Sequence, residues 1–328
     1  MKVVDRHRRT RLRKTIAERE LPAPRAAPVG ILRGLRAYFR QEQARYGTLF
    51  VLPTLAFFLI FIVFPLGFSL YMSFLDWHPV RGDPEFVGIE NYVELLGDKT
   101  FVKTVVNTLV LTFGVVAITV VGALALAMAL NQGLRGTAVF RGVFYSPVVT
   151  SLIATGLVFL WLFDPQFGPI NQLLKSFGIT GPGWASSLKW ALPTMILTFS
   201  WREIGYFVVV YLAGLQGIPV SLREAAAIDG AGSWGQFRHV TWPLLWPTTF
   251  FVLIMGVIRA TQYSFGMIYV MTAGGPVDST NVVVLYLYQQ AFELFRMGYA
   301  SAIAYVLFVI VFAISMIQYK FAGRLVDY

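Results

Sequence analysis

Two groups of polar residues stand where an otherwise apolar chain has least use for them. The first is the run Ser221-Leu222-Arg223-Glu224-Ala225-Ala226-Ala227-Ile228-Asp229-Gly230, with Pro243 closing the polar stretch that follows. Ser221 and Glu224 have the S-x-x-E spacing of a capping box, in which each side chain takes up an orphan backbone N–H at a helix start. Ala225 to Ala227 favour helix and leave a low surface that another backbone can approach closely. Gly230 can take the left-handed conformation that ends a helix. Ser233 and Gln236 repeat the capping spacing, and Pro243 marks the return to apolar sequence. The pattern predicts two short capped helices about a glycine turn. Its chemistry is recognition rather than bond making, because a segment that only joined its neighbours would not need such specified ends.

The second group is Arg202, Glu203 and Arg259, each set inside an apolar run. An ionisable residue at the centre of a bilayer costs about 2.5–3.5 kcal/mol on insertion scales, so each must face a cavity or a partner. Glu203 and Arg259 lie on adjoining runs and are expected to pair, either as a structural ion pair or as part of a solute contact.

Other chemistries are excluded. There is no cysteine, which removes disulfides, thiolate catalysis and Cys-ligated metal. His7, His78 and His239 are scattered and form no ligand cluster. No Gly-x-x-x-x-Gly-Lys-Ser/Thr loop occurs, so the chain is not expected to bind ATP through that motif. No catalytic residue, metal or cofactor is predicted, and the chain is not read as an enzyme.

The elements that must position these residues are membrane spans. The sequence is 56% hydrophobic and only 13% charged, far below the quarter charged that soluble domains carry. The net charge of +10 would suit nucleic acid, but 13 of the 27 Lys and Arg fall in residues 1–46, just before the first apolar run. That placement is the mark of a cytoplasmic tail and argues against a nucleic-acid partner. The tail is expected to be largely disordered, with a short amphipathic helix near 32–39 on anionic lipid as a further reading. A span needs roughly 20 apolar residues. Six runs qualify, at about 47–75, 105–130, 140–163, 190–215, 244–270 and 298–320, with Pro53 and Pro65 as expected kinks in the first. With the N-terminus inside, cytoplasmic segments hold 19 Lys and Arg and external segments hold six. Both termini are therefore expected in the cytoplasm, as the positive-inside rule requires. The segment 282–296 is expected to be a short external amphipathic helix rather than a further span. The fold class is an all-α integral membrane protein with six transmembrane helices.

The polar run between the fourth and fifth spans resembles the EAA loop of ABC-importer permeases. Glu224-Ala225-Ala226 is followed after three residues by Gly230, then after nine by Val240, then by Trp242-Pro243. Val240 and Trp242 replace the usual isoleucine and leucine. Asp229-Gly230-Ala231 is similar to the form found in carbohydrate permeases. Phe86 to Tyr92, Asn107-Thr108-Leu109, Ala213 to Pro219, Thr272-Ala273-Gly274-Gly275-Pro276, Tyr288, Ala291-Phe292 and Gly298 to Ala302 extend the resemblance over residues 47–320. They resemble the larger maltose-transporter membrane subunit and the glycerol-phosphate permeases.

The resemblance implies a type I ABC importer permease fold in a bacterial inner membrane. It implies a second homologous permease subunit, two ATP-binding subunits and an extracytoplasmic solute-binding protein as partners, beside membrane lipid. Glu224, Ala225, Ala226, Asp229, Gly230 and Pro243 would then belong to the loop, 221–243, that couples ATPase motion to the spans. Glu224 would either pair with a basic ATPase residue or only cap its helix. A solute pathway at mid-bilayer would involve Glu203, Tyr206, Arg259, Gln262 and Tyr263, with Phe265 at similar depth. Another polar solute, such as an amino acid, or a secondary transporter that needs no ATPase, are the alternatives.

Overall fold

A computed structural model describes residues 42–326 apart from 81 and 133–135. The expected tail, except its last few residues, and the helix near 32–39 lie outside the described residues. The chain divides into two compact units, 1–66 and 67–328.

The first candidate span, Tyr46–Met72, comprises α1 (Glu42–Phe58), a π-helical turn (Leu59–Val63) and α2 (Phe64–Met72). The turn is wide for a local reason. Pro65 has no N–H to return to the preceding turn and its ring crowds the carbonyl four residues back. The Phe64 N–H bonds to Leu59 O, five residues back, and the helix passes the proline.

Within the second unit, β1 (Leu75–Asp76) and β2 (Glu85–Phe86) form a small antiparallel pair, with Leu75 opposite Phe86. Then come α3 (Glu90–Gly97), α4 (Lys99–Leu130), α5 (Thr137–Val149), α6 (Leu152–Leu162), α7 (Pro169–Ser176), α8 (Ala191–Gln216), α9 (Val220–Ile228), α10 (Ser233–Gln236), α11 (Trp242–Met271), α12 (Val283–Tyr288) and α13 (Met297–Val326). Among the described residues five helices are long and apolar enough to cross a membrane. The pair α5 and α6, bent by 100°, is apolar and long enough only when taken together, as a broken span or a re-entrant loop, and brings the candidate spans to six if counted as one. The sequence predicts one continuous span there. Pro147, lacking an N–H, and the extended backbone of Thr150 and Ser151 break it, because hydropathy registers apolarity and not backbone direction.

The core is made by α4, α8 and α11. Ala123, Ala127, Phe207, Tyr211 and Leu245 pack at the end nearer α9. Leu111, Met195, Phe199, Ala260 and Met267 pack at the other. Gly114 and Gly122 of α4 leave room for the Ile196 and Ile204 side chains of α8, so the two helices approach closely along small residues.

The end away from α9 is tied by polar groups. Asp98 Oδ1 caps α4 by accepting from Thr100 N at 2.8 Å, and Oδ2 accepts from the Tyr286 and Tyr299 hydroxyls at 2.5 and 2.8 Å. Asn107 Nδ2 donates to the carbonyls of Asp278 and Asn281, and Thr108 Oγ1 accepts from Val283 N. The segment 282–296 is α12 followed by a π-helical turn, Gln289–Glu293, and not a span. It is packed inward, with Val283, Leu285, Tyr286 and Gln290 buried, rather than laid on a surface by one apolar face.

Burial raises the Asp98 pKa, but the hydrogen bonds from Tyr286, Tyr299 and two backbone amides outweigh it and hold the carboxyl below its ordinary range. A carboxylate with a depressed pKa stabilises the fold above its unfolded value, roughly pH 4, and loses that contribution as the pH falls through the folded value. Asp98→Asn retains a cap acceptor but cannot accept from both phenols. Its thermal midpoint in detergent should be lower than that of the parent by a few degrees at pH 7, and the difference should shrink toward pH 3. Asp98→Ala should cost about 1 kcal/mol more, through loss of the cap.

Candidate functional site

The loop between α8 and α11 starts from a rigid stop. Gly217, Ile218 and Pro219 follow α8, and Pro219 stands at the N-cap of α9 in extended geometry. No side chain caps α9. The capping box expected at Ser221 and Glu224 is therefore not made. Pro219 starts the helix two residues earlier than that spacing requires, which places Ser221 inside it. The second box is absent as well: Gly232 is the N-cap of α10, and Gln236 Nε2 instead donates to Ala231 O at 3.0 Å.

The far end of α9 follows the expectation closely. Gly230 has φ +84. The Ala231 N–H bonds to Ala226 O and the Gly230 N–H to Ala227 O, the paired bonds of a Schellman stop. An added Cβ at Gly230 would meet nothing within 4 Å, so the demand for glycine is conformational and not steric.

Along α9 no residue is buried. Glu224, Ala225, Asp229 and Gly230 are exposed and Ala226 is half-buried. Val220, Leu222 and Ile228 are exposed apolar residues on it, Ile228 at 86%, and Trp234 is exposed at 70% on α10. A nine-residue helix that buries nothing is too short to stand on propensity alone. Its exposed apolar side chains suit a partner surface.

The second short helix is not separate. From Ser233 to Met271 the chain is one helical path, α10 passing through a π-helical turn (Phe237–Thr241) into α11. The turn precedes Pro243 as the earlier one precedes Pro65, and here the Trp242 N–H bonds to Phe237 O. Pro243, exposed at the second position of α11, does not break the path.

The intramembrane charges form one connected group at the seam between the two core clusters. Glu203, 1% exposed, accepts from Arg259 Nε at 2.5 Å and Nη2 at 3.1 Å, and from Arg202 Nη1 at 2.8 Å. The expected pairing of Glu203 with Arg259 is present, and both carboxylate oxygens are engaged. The sequence did not reveal the other half of Arg202's role. Its Nη2 donates to Val148 O at 3.0 Å, with Thr150 O at 3.5 Å, the carbonyls freed where α5 ends. The Thr150 hydroxyl donates to Pro147 O at 2.6 Å, satisfying another freed carbonyl. Close by, α5 lies against α8 at Gly205, where a Cβ would collide with the Phe144 carbonyl oxygen.

Arg259 lies over the Tyr206 ring at 4.5 Å and near the Tyr263 ring at 5.3 Å, cation–π contacts that offset part of its desolvation. Glu203, Tyr206, Arg259 and Tyr263 are thus brought together. Gln262 is exposed on α11 and makes no hydrogen bond with the group, and Phe265 belongs elsewhere. Phe265 stacks on Tyr269 at 5.6 Å and meets Tyr288 in a tilted contact at 5.1 Å, and Tyr288 meets Phe292 at 5.3 Å. This aromatic cluster of α11 and α12 was missed as a unit. Its signal was the i, i+4 spacing of Phe265 with Tyr269 and of Tyr288 with Phe292.

Residues 120–326 match the family described as binding-protein-dependent transport system inner membrane component. The chain is 35% identical to the probable ABC transporter permease protein YurN of Bacillus subtilis, over 83% of this chain and 94% of that one. It is 32% identical to the sn-glycerol-3-phosphate transport system permease protein UgpA of Yersinia pestis, over 85% and 95% of the two. It is 37% identical to the sulfoquinovosyl glycerol transport system permease protein SmoG of Agrobacterium fabrum, over 78% and 82%. The fold is similar to a chain from the crystal structure of a bacterial ABC transporter involved in import of the acidic polysaccharide alginate. The TM-score is 0.78 at 23% identity, covering 89% of this chain and 100% of that one.

Removing one partner of a buried ion pair costs about 3–5 kcal/mol where the other charge is left uncompensated. Arg202 still bonds Glu203 Oε1 when Arg259 is lost, so only Oε2 goes without a donor. Arg259→Met should therefore destabilise the protein in thermal unfolding by less than that range, and Arg259→Lys, which restores charge but not the side-on pair, should recover only part. Gly205→Ala should be comparably damaging although it adds one methyl group, because the obstacle is backbone. A small effect of Gly205→Ala would show that α5 does not pack there.

Proposed function

The chain belongs to the binding-protein-dependent transport system inner membrane components, and from that premise we propose that it couples ATPase motion to alternating access in the import of a carbohydrate or polyol. It is the permease component of an ABC transporter, a multi-pass inner-membrane protein whose ATPase is a separate chain. The observation that carries the coupling role is α9, an exposed helix with an apolar surface and a fixed stop at Gly230.

In this reading α9 seats in an ATPase subunit, with Glu224, Ala225, Ala226 and Asp229 on or beside the contact. Gly230 sets the angle at which the chain leaves, and Pro243 guides it into α11. A second homologous permease, two ATP-binding chains and an extracytoplasmic binding protein complete the assembly. Both termini and the loop lie in the cytoplasm, as the Lys and Arg distribution supports.

The solute reading rests on two supports. The relatives' names specify a glycerol phosphate and a sulfoquinovosyl glycerol, both built on hydroxylated carbon skeletons. Arg259 between Tyr206 and Tyr263 offers a cation and aromatic faces in one place. Aromatic faces suit the apolar side of a sugar ring, and a guanidinium donates well to hydroxyl or acidic groups.

Glu224→Lys should abolish solute uptake in proteoliposomes holding the full transporter while leaving the binding protein's affinity for solute unchanged. Gly230→Val, which forces a branched residue into the left-handed region at a cost of about 1–2 kcal/mol, should do the same. Normal uptake in both variants would remove the loop from the coupling path. Failure of the transporter to co-purify with a P-loop ATPase would refute the wider reading.

A further inference from the structure

Between α6 and α8 the chain builds a small lobe, 163–190, around one buried amide. Asn171 Nδ2 donates to the carbonyls of Pro165 at 3.1 Å and Pro182 at 3.2 Å, and its Oδ1 accepts from Trp184 Nε1 at 2.6 Å. Trp184, held at φ +42, packs between Phe163 at 4.7 Å and Trp190 at 5.9 Å. These contacts fix the roll of α7 about its own axis, because Asn171 must point into the lobe.

On the same helix Ile170, Leu173, Leu174 and Phe177 recur at i, i+3, i+4 and i+7, an apolar stripe of helical period. The fixed roll turns Ile170 and Leu174 partly inward. It leaves Leu173 at 61% and Phe177 at 74% exposed. The helix ends in a second Schellman stop at Gly178, φ +74, with Ile179 N–H bonded to Leu174 O. A soluble surface would have turned the whole stripe into the lobe, whereas the observed roll buries Asn171 and keeps Leu173 and Phe177 outside.

The position of the lobe identifies what covers the stripe. The lobe lies between the apolar helix α6, second half of the bent pair, and the candidate span α8: α6 ends at Leu162, seven residues before α7 begins, and α8 starts at Ala191. Trp161 and Trp190, both exposed, stand at those junctions, where amphipathic rings mark the headgroup level. The exposed apolar surface continues in sequence from α6, where Leu157, Val158 and Trp161 face outward. Lys175 and Lys189 are exposed on the lobe and supply charge complementary to lipid phosphate.

We infer that α7 is an interfacial helix, lying in the boundary between headgroups and acyl chains with Leu173 and Phe177 in the acyl region and Lys175 toward phosphate. It anchors the outer ends of α6 and α8 at a fixed depth in the bilayer.

The absence of cysteine makes the test direct. Phe177→Cys and Gln172→Cys, on opposite sides of α7, are each labelled with a nitroxide in the full transporter, assembled with cysteine-free partners in anionic-lipid nanodiscs. Relaxation is compared with dissolved oxygen, which concentrates in acyl chains, and with a water-soluble nickel chelate. The label at 177 should show an oxygen-to-nickel ratio at least severalfold above that at 172. Equal ratios would overturn the proposal. So would a label at 177 that is open to nickel until solute-binding protein is added, which would make the stripe a protein-docking face. Because the readout is a contrast between two sites on one folded helix, a variant that fails to assemble is recognised by loss of the contrast together with loss of co-purifying ATPase. In that case Leu173→Cys replaces Phe177→Cys and the same ratio decides.

Discussion

Every backbone carbonyl inside a bilayer needs a donor, since lipid offers none and an unpaired group costs several kcal/mol. The break between α5 and α6 creates such carbonyls at mid-chain, and Arg202 supplies the donors for Val148 and Thr150. A guanidinium brought to that depth needs an anion, and Glu203 is the next residue along. Glu203 is fully buried and bonds Arg259 side-on, so the demand passes from α8 to α11. One interrupted helix thus draws three spans into one polar joint. The joint lies between two apolar clusters, where the low dielectric that makes its charges costly also strengthens the bonds among them.

The same two helices, α8 and α11, flank the exposed loop. Pro219 and the stop at Gly230 fix α9 at the end of α8, and the helical path from Ser233 to Met271 carries the other side of the loop directly into α11. A load on α9 therefore reaches the two spans joined by Glu203 and Arg259 before it reaches any other. The opposite end of the bundle is tied crosswise by Asp98, Asn107 and Thr108 to α12, α13 and the segment before them. Nothing comparable binds α9 to the bundle, among the described residues.

Much of this was legible in the chain. Run length and charge gave the spans, and the three intramembrane charges were visible as a cost that some partner must meet. The left-handed stop at Gly230 followed from residue type and spacing alone. The rest was hidden by properties that pattern does not carry. The S-x-x-E spacing suggested a cap, but where α9 begins depends on Pro219, which precedes the pattern. Uniform hydropathy across 140–163 concealed a 100° bend set by Pro147 and two extended residues. The carbonyl partners of Arg202 lie more than 50 residues earlier, a distance at which only the folded arrangement pairs groups. Asn107-Thr108 and the stretch 272–276 looked like independent points of resemblance. In the fold Asn107 bonds the Asp278 and Asn281 carbonyls, just beyond Pro276, at residues that the resemblance did not mark.

Both Schellman stops show how backbone and surface requirements can be separated. At Gly230 the helix ends where an added side chain would meet open space, and at Gly178 the same is true. Neither glycine is needed to make room. Each is needed because the following residue must leave in a direction that only the left-handed conformation allows. In α9 that direction returns the chain toward α10 while the apolar residues of the helix stay outside. In α7 it closes the lobe while Leu173 and Phe177 stay outside. A fold that only minimised exposed apolar area would have buried both faces. That it spends a specified stop on keeping each one out argues that the covering surfaces, protein for one and lipid for the other, belong to the working assembly.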